Sequence, residues 1–87
     1  MVRLPLTPAQ IESGRRLGIA LRTARAEREL TEVARAASMS PETLRKIETG
    51  RLPSPSFGTV VTLCGVLGVP LQELAETWRG VGFAESA

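Results

Sequence analysis

Helix start and stop signals divide this chain into short segments. Thr7 and Ser40 are hydroxyl residues that suit the N-cap position, and Pro8 and Pro41, which follow them, suit the first helical position. Gly50 suits the left-handed residue that comes after a helix. Between such signals apolar residues recur at intervals of three and four, and no segment alternates with the period of a strand. The chain is therefore predicted to be all-α.

The pattern predicts five helices. They lie at about residues 8 to 28, 30 to 37, 41 to 49 and 56 to 67, with a fifth that Pro70 opens. A chain of 87 residues has room for one hydrophobic core, so these helices are expected to form one compact bundle.

The domain is expected to span residues 17 to 78. Residues 1 to 16 are then an N-terminal extension of helix one, and residues 79 to 87 are a short C-terminal tail. The extension is expected to protrude, either as a frayed arm or as a surface for a partner. Gly14 and Gly18 are expected to weaken helix one, because glycine disfavours a helix interior.

The composition excludes most catalytic and metal-binding sites. The sequence has no His, no Asp and no Tyr, and Cys64 is its single cysteine. Catalytic triads, histidine bases and metal clusters need such side chains, so we expect no enzyme activity, no metal site and no cofactor. Cys64 lies in an apolar run and is expected to be a small buried hydrophobic residue, with a reactive thiol as the minority alternative.

A membrane-spanning segment is the first alternative to a soluble bundle. Residues 52 to 72 carry no charge and approach the ~20 residues that a spanning helix needs. Prolines leave only residues 56 to 67 as continuous helix, which covers little more than half of a hydrocarbon core of about 30 Å. A buried helix of a soluble protein is therefore predicted. The opening stretch MVRLPLTP lacks the apolar region of a signal peptide, so the expected location is the cytoplasm.

The third predicted helix has an apolar and a polar face. With successive residues about 100° apart, Leu44 and Ile47 point one way. The opposite side carries Glu42, Arg45, Lys46 and Thr49. A polar face is most often only a solvated face. A helix that buries so little needs a scaffold, however, and it can then serve to present side chains outward.

The segment before this helix suits a helix-turn-helix. Ala34 and Ala37 are small enough for two helices to cross closely, and Ser38, Met39 and Ser40 supply the turn. Proteins use this arrangement to place the second helix in the major groove of DNA. The net charge is only +2, so affinity for DNA would depend on where the charges lie.

Several motifs in order carry a family resemblance. The sequence resembles helix-turn-helix domains of the Cro and phage-repressor type, the XRE family, in LRTAR, EVARAASMSPETLRKIETGR, PSF and LGVPLQEL. The resemblance covers about residues 17 to 76. It implies a five-helix, lambda-repressor-like DNA-binding domain that regulates transcription. It also implies double-stranded operator DNA as the partner, usually bound by a homodimer.

The resemblance implies roles for individual residues. Base-contacting positions are matched by Pro41, Glu42, Arg45 and Lys46. Backbone-contacting positions are matched by Arg25, Thr49 and Arg51. Arg25 and Glu48 match a pair that bridges helix one to the recognition helix. These types are chemically suitable, because Arg and Lys donate to guanine and Glu accepts from the cytosine amino group.

Two of the departures from the family pattern lie just before and just after the third predicted helix. Ser38 stands where a turn glycine is usual, and it would be strained in a left-handed conformation unless the turn adjusts. The loop after Gly50 carries only Arg51 as a charge, so modest non-specific affinity for DNA is expected.

The second hypothesis is a protein-interaction module, such as an antitoxin or a small adaptor. A predicted stripe on helix four consists of Phe57, Val60, Val61, Cys64 and Leu67. Leu63 and Val66 make the other side apolar too, so helix four is expected either to be central or to contact a partner. Trp78, Val81 and Phe83 are further candidate contacts near the C-terminus, although Trp78 is expected to pack within the domain.

Overall fold

The computed structural model describes residues 5 to 80, which form five helices. The helices are α1 (Pro8–Arg25), α2 (Leu30–Ala36), α3 (Pro41–Glu48), α4 (Phe57–Leu67) and α5 (Leu71–Arg79). No strand occurs between residues 5 and 80. The predicted all-α fold of five helices is confirmed. Val81 and Phe83 of the predicted tail lie outside the described residues.

Local capping explains where the helices begin. The Thr7 hydroxyl accepts from the backbone N–H of Gln10 at 3.1 Å, and the Gln10 side chain accepts from the backbone N–H of Thr7 at 2.9 Å. The Ser40 hydroxyl accepts from the backbone N–H of Thr43 at 3.1 Å, and Pro41 occupies the first turn of α3. Each cap satisfies a donor that the helix itself leaves free.

A glycine follows the end of three of these five helices, α3, α4 and α5. Gly50 and Gly68 both have positive φ, at 80° and 72°. Helix α1 ends at Arg25 rather than near Arg28, because Ala26 adopts a φ of 54° that no right-handed helix contains. The predicted end of α1 was therefore a few residues too late.

The core lies where α1 meets α3 and α5. Six side chains are almost completely buried: Leu21, Val33, Leu44, Ile47, Leu63 and Leu74. They come from all five helices, so no helix buries its apolar side alone. Each such burial contributes about 1.5–3 kcal/mol. The shortest helices, α2 and α3, depend on this shared core for their stability.

The glycines of α1 permit close packing rather than merely weakening the helix. A Cβ atom on Gly18 would lie 2.7 Å from the carbonyl oxygen of Glu48 and closer still to that of Ile47. A Cβ atom on Gly14 would lie 2.7 Å from the carbonyl oxygen of Pro53 and closer still to its Cα. Only glycine lets α1 approach the end of α3 and the following loop this closely.

The N-terminal part of α1 is more firmly packed than an arm would be. Ser13 and Gly14 are buried. The Arg16 guanidinium donates to the carbonyl oxygens of Thr77 and Trp78, at 2.9 Å and 2.8 Å, and so satisfies acceptors at the end of α5. Residues up to Arg16 therefore do not all protrude, and the unbroken run of exposed residues that leads into α1 ends at Glu12.

Only one side of helix α4 faces the core. Leu63 and Cys64 are buried, but Phe57 is 72% exposed and Val61 is 41% exposed. The predicted stripe that joined Phe57 and Val61 to Cys64 is therefore wrong, because Leu63 takes the inward position instead. The burial predicted for Cys64 is confirmed, and desolvation raises the pKa of its thiol above the ordinary value.

Among residues 5 to 80, no helix is both long enough and apolar enough to cross a lipid bilayer.

Substitution of Gly18 tests the close approach of α1 to α3. We expect Gly18→Ala to lower the free energy of unfolding by about 1–3 kcal/mol, because the added methyl group meets backbone that cannot easily move. Gly65→Ala is the matched control, since its Cβ would meet nothing within 4 Å and alanine favours a helix by up to about 1 kcal/mol. Urea denaturation of both variants without DNA measures the difference. Equal stability of the two variants would contradict the packing described.

Candidate nucleic-acid interface

Helix α3 is fixed to the domain by its inner side. Leu44 is completely buried and Ile47 is 1% exposed. Pro41, Glu42 and Arg45 are exposed on the other side. The buried pair therefore determines which residues of α3 face solvent.

The turn before α3 uses a strained residue. Ser38 has a φ of 58°, the left-handed conformation that glycine adopts without strain. Two backbone hydrogen bonds close this turn. The N–H of Ser38 donates to the carbonyl of Arg35 at 3.0 Å, and the N–H of Met39 donates to the carbonyl of Ala34 at 2.9 Å. Ala34 and Ala37 are buried between α2 and α3, as the small-residue pattern predicted. The turn keeps its geometry despite the absence of glycine.

An ion pair joins α1 to the end of α3. The Arg25 guanidinium donates from Nε to Oε2 of Glu48 at 2.7 Å and from Nη2 to Oε1 at 2.9 Å. The Arg25 side chain is 16% exposed and that of Glu48 is 5% exposed. The hydrogen bond that Arg25 donates to Glu48 raises the pKa of Arg25, so the arginine stays charged. Arg25 also donates to the carbonyl of Arg28 at 2.7 Å, which orients the guanidinium fork further.

The charged residues on the outward side of α3 differ in how they are engaged. Lys46 lies 3.8 Å from the carboxylate of Glu42, and the two side chains are 44% and 78% exposed, so the pair is weak. No carboxylate of residues 5 to 80 lies within 4.0 Å of the Arg45 guanidinium. Arg45 is therefore the cation of this helix that is best placed to contact an external acceptor.

A shallow pocket of about 260 Å³ lies beside the exposed side of α3. It is lined by Arg22, Arg25, Leu30, Arg45, Glu48 and Thr49. Arg22 is exposed and brings a third guanidinium to this edge. The sequence analysis missed Arg22, although its position three residues before Arg25 places both on one side of α1. Three arginines against one carboxylate make this pocket a suitable position for an anion such as phosphate.

Two further predicted residues follow α3. Thr49 is exposed, and its hydroxyl donates to the carbonyl of Arg45 at 2.8 Å, which leaves the oxygen able to accept a hydrogen bond. Arg51 is exposed in the loop that Gly50 begins. The pocket lined by Arg22, Arg25 and Arg45 and the loop that carries Arg51 thus both lie towards the C-terminal half of α3, next to its exposed side.

Comparison with known proteins shows a matching family and a similar solved structure. Residues 16–77 match the family described as helix-turn-helix domain, which is more than half of the chain. The crystal structure of the clp gene regulator ClgR from C. glutamicum is similar, with a TM-score of 0.68 and 30% sequence identity. The match covers 88% of this chain and 94% of that one. No curated protein sequence matches significantly.

Substitution of Glu48 tests how firmly α3 is joined to α1. We expect Glu48→Gln to lower the free energy of unfolding by about 1–3 kcal/mol, because it removes the charge that pairs with a largely buried Arg25. Glu42→Gln is the control, since the carboxylate of Glu42 is 78% exposed and its loss is expected to change stability by less than about 0.5 kcal/mol. Urea denaturation in the absence of DNA separates the two. A control variant as unstable as Glu48→Gln would show that the buried pair has no special role.

Proposed function

Because the chain belongs to the family of helix-turn-helix domains, we propose that it is a DNA-binding transcriptional regulator that reads the major groove with α3 as a homodimer. The observation that carries this proposal is that α3 is buried on one side and exposed on the other. Leu44 and Ile47 are buried completely or nearly so, while Pro41, Glu42 and Arg45 are exposed. A helix held in this way can enter a groove that is about 12 Å wide without losing contact with its own core.

Bases would be contacted from the N-terminal and middle turns of α3. Arg45 has no ion-pair partner among residues 5 to 80 and can donate two hydrogen bonds to O6 and N7 of a guanine. Lys46 would contact a second acceptor, since its contact with Glu42 is 3.8 Å long and easily exchanged. Glu42 would accept from a cytosine amino group, and Pro41 would pack against the edge of a neighbouring base.

The DNA backbone would be contacted on the flanks of α3. The pocket that contains Arg22 and Arg25 suits a phosphate, and Arg25 still has hydrogens to donate after pairing with Glu48. Thr49 and Arg51 would contact phosphates after the end of α3. Such contacts fix the position of the protein on the duplex but carry no sequence information.

A homodimer would allow two copies of this short helix to act together. Two-fold dimers of such domains bind half-sites about 34 Å apart, one turn of the double helix. The protein measures 41 × 32 × 19 Å, so two copies side by side can hold equivalent residues at about that distance. A regulator that binds chromosomal DNA must share a compartment with that DNA, and the cytoplasmic location predicted from the sequence would allow this.

The runner-up is a protein-interaction module on the same scaffold, such as an antitoxin or an adaptor. The observation in its favour is the exposure of Phe57 and Val61 on α4. The two functions differ in one simple result. A DNA-binding regulator shifts a specific duplex at moderate salt without another protein, whereas an interaction module does so only with its partner.

Selection of bound duplexes from a random pool, followed by substitution, tests the assigned roles. We expect a palindromic consensus for the unaltered protein. Arg45→Ala or Lys46→Ala should relax preference at one position of each half-site and weaken binding by about 1–3 kcal/mol per lost base contact. Arg51→Ala should weaken binding to all sequences alike and reduce its salt dependence.

The control for this experiment is Arg79→Ala, which removes the same charge at the end of α5, away from α3. It should leave both the consensus and the affinity almost unchanged. If Arg45→Ala and Arg51→Ala altered all sequences equally, the division between base and backbone contacts would be wrong. If no sequence were enriched, the regulator itself would be the wrong function.

A further inference from the structure

An open apolar groove lies between α1, α4 and α5. Its volume is about 330 Å³. Its lining is Leu17, Ser54, Pro55, Phe57, Val60, Leu71, Leu74, Ala75 and Trp78. No charged residue and only one hydroxyl lines it. None of the residues proposed to contact DNA is in this groove.

Phe57 stands at the rim of this groove with most of its side chain in solvent. Phe57 is 72% exposed, the highest value among the exposed large hydrophobic residues of the described segment. It is the first residue of α4, and the cap from the Ser56 hydroxyl to the N–H of Thr59, at 3.2 Å, fixes that helix start. Val61, one turn later, and Leu71, across the groove, are also exposed, at 41% and 38%. A free aromatic ring beside an apolar groove is unusual for a surface that contacts only water.

Charge indicates which partner this surface suits. Residues 52 to 72 include all of α4 and carry no charge, although 20 charged residues, 11 basic and 9 acidic, occur in the rest of the sequence. In a two-fold contact each residue meets its counterpart or a close neighbour of it, so a charge near the axis repels its own copy. An uncharged surface avoids this repulsion. A charged partner would find no opposite charge on this surface with which to pair.

We propose that this surface is where two copies of the chain pair, and that Phe57 of each copy enters the groove of the other. The proposal rests on the homodimer of the proposed function and specifies its interface. The Phe57 ring and the groove lie side by side on one surface. A two-fold interface requires this, because each copy must supply both a ring and a groove. The size also fits, since a cavity of about 150 Å³ is enough to hold benzene.

The contact leaves the DNA-binding surface free. None of the residues proposed to contact DNA lines the groove, and a two-fold axis would place the two α3 helices on opposite sides of that axis, each still exposed. Because each copy contributes mainly one ring and one groove, we expect a reversible dimer with a dissociation constant of about micromolar size.

Sedimentation equilibrium of the full chain without DNA tests the proposed interface. We expect Phe57→Ala to weaken dimerisation by about tenfold or more, as removal of a central aromatic residue usually does. Ile19→Ala is the matched control, since Ile19 is 52% exposed but does not line the groove, and it should change the dissociation constant less than about twofold. Ala75→Met, which fills the groove from the inside, should weaken dimerisation as well. Circular dichroism checks that each variant remains helical.

Three outcomes would overturn the proposal. A dimer that Phe57→Ala leaves unchanged would have its interface elsewhere. A chain that remains monomeric both alone and on a palindromic duplex would have no such interface. If the chain is monomeric but Phe83→Ala makes it dimerise, the groove is covered by the C-terminal segment of the same molecule instead of by a second copy.

The same variants separate this proposal from the proposed function. Phe57→Ala should bind a single half-site as the unaltered protein does, and lose affinity only for the palindrome. A dimer that depends on Phe57 but binds no duplex would support the interface and contradict the regulator. A palindrome bound equally well by Phe57→Ala would support the regulator and contradict the interface.

Discussion

The attachment of α3 to α1 is the contact on which the rest of this structure depends. Leu44 and Ile47 are buried on the inner side of α3. Gly18 of α1 lets the carbonyl groups at the C-terminal end of α3 approach α1 closely. The Arg25–Glu48 ion pair then fixes that end. Removing one partner of such a pair is costly, because a charge is left without compensation where water has little access. An eight-residue helix too short to be stable alone is thereby held with its outer side in solvent.

The exposed surface is divided between two kinds of chemistry. Around α3 it is charged, with Arg22, Arg25 and Arg45 at one pocket. At the start of α4 it is apolar and uncharged, with Phe57 beside a groove. The first surface suits a polyanion and the second suits a surface like itself. Their separation would let one small domain bind DNA and pair with a second copy at the same time, as proposed above.

Local signals in the sequence predicted the helices and the two sides of α3. Caps at Thr7 and Ser40 depend on residues within one turn, so the sequence alone contains them. Of the features that depend on tertiary neighbours, the Arg25–Glu48 pair was predicted through the family resemblance, whereas two others were not predicted. The close approach at Gly18 and the bonds from Arg16 to the end of α5 join segments far apart in the chain. The exposure of Phe57 was missed because every residue around it is uncharged, so periodicity could not show which side of α4 faces inward.

The most direct test of the central claim replaces single guanines of the selected duplex by 7-deazaguanine, which lacks the N7 acceptor in the major groove and leaves the minor groove unchanged. Affinity is measured for the unaltered protein and for Arg45→Ala. If α3 reads the major groove, one replacement in each half-site should weaken binding of the unaltered protein about tenfold and have almost no effect on Arg45→Ala. Equal losses for both proteins at every guanine, or no loss at any, would contradict major-groove reading by Arg45.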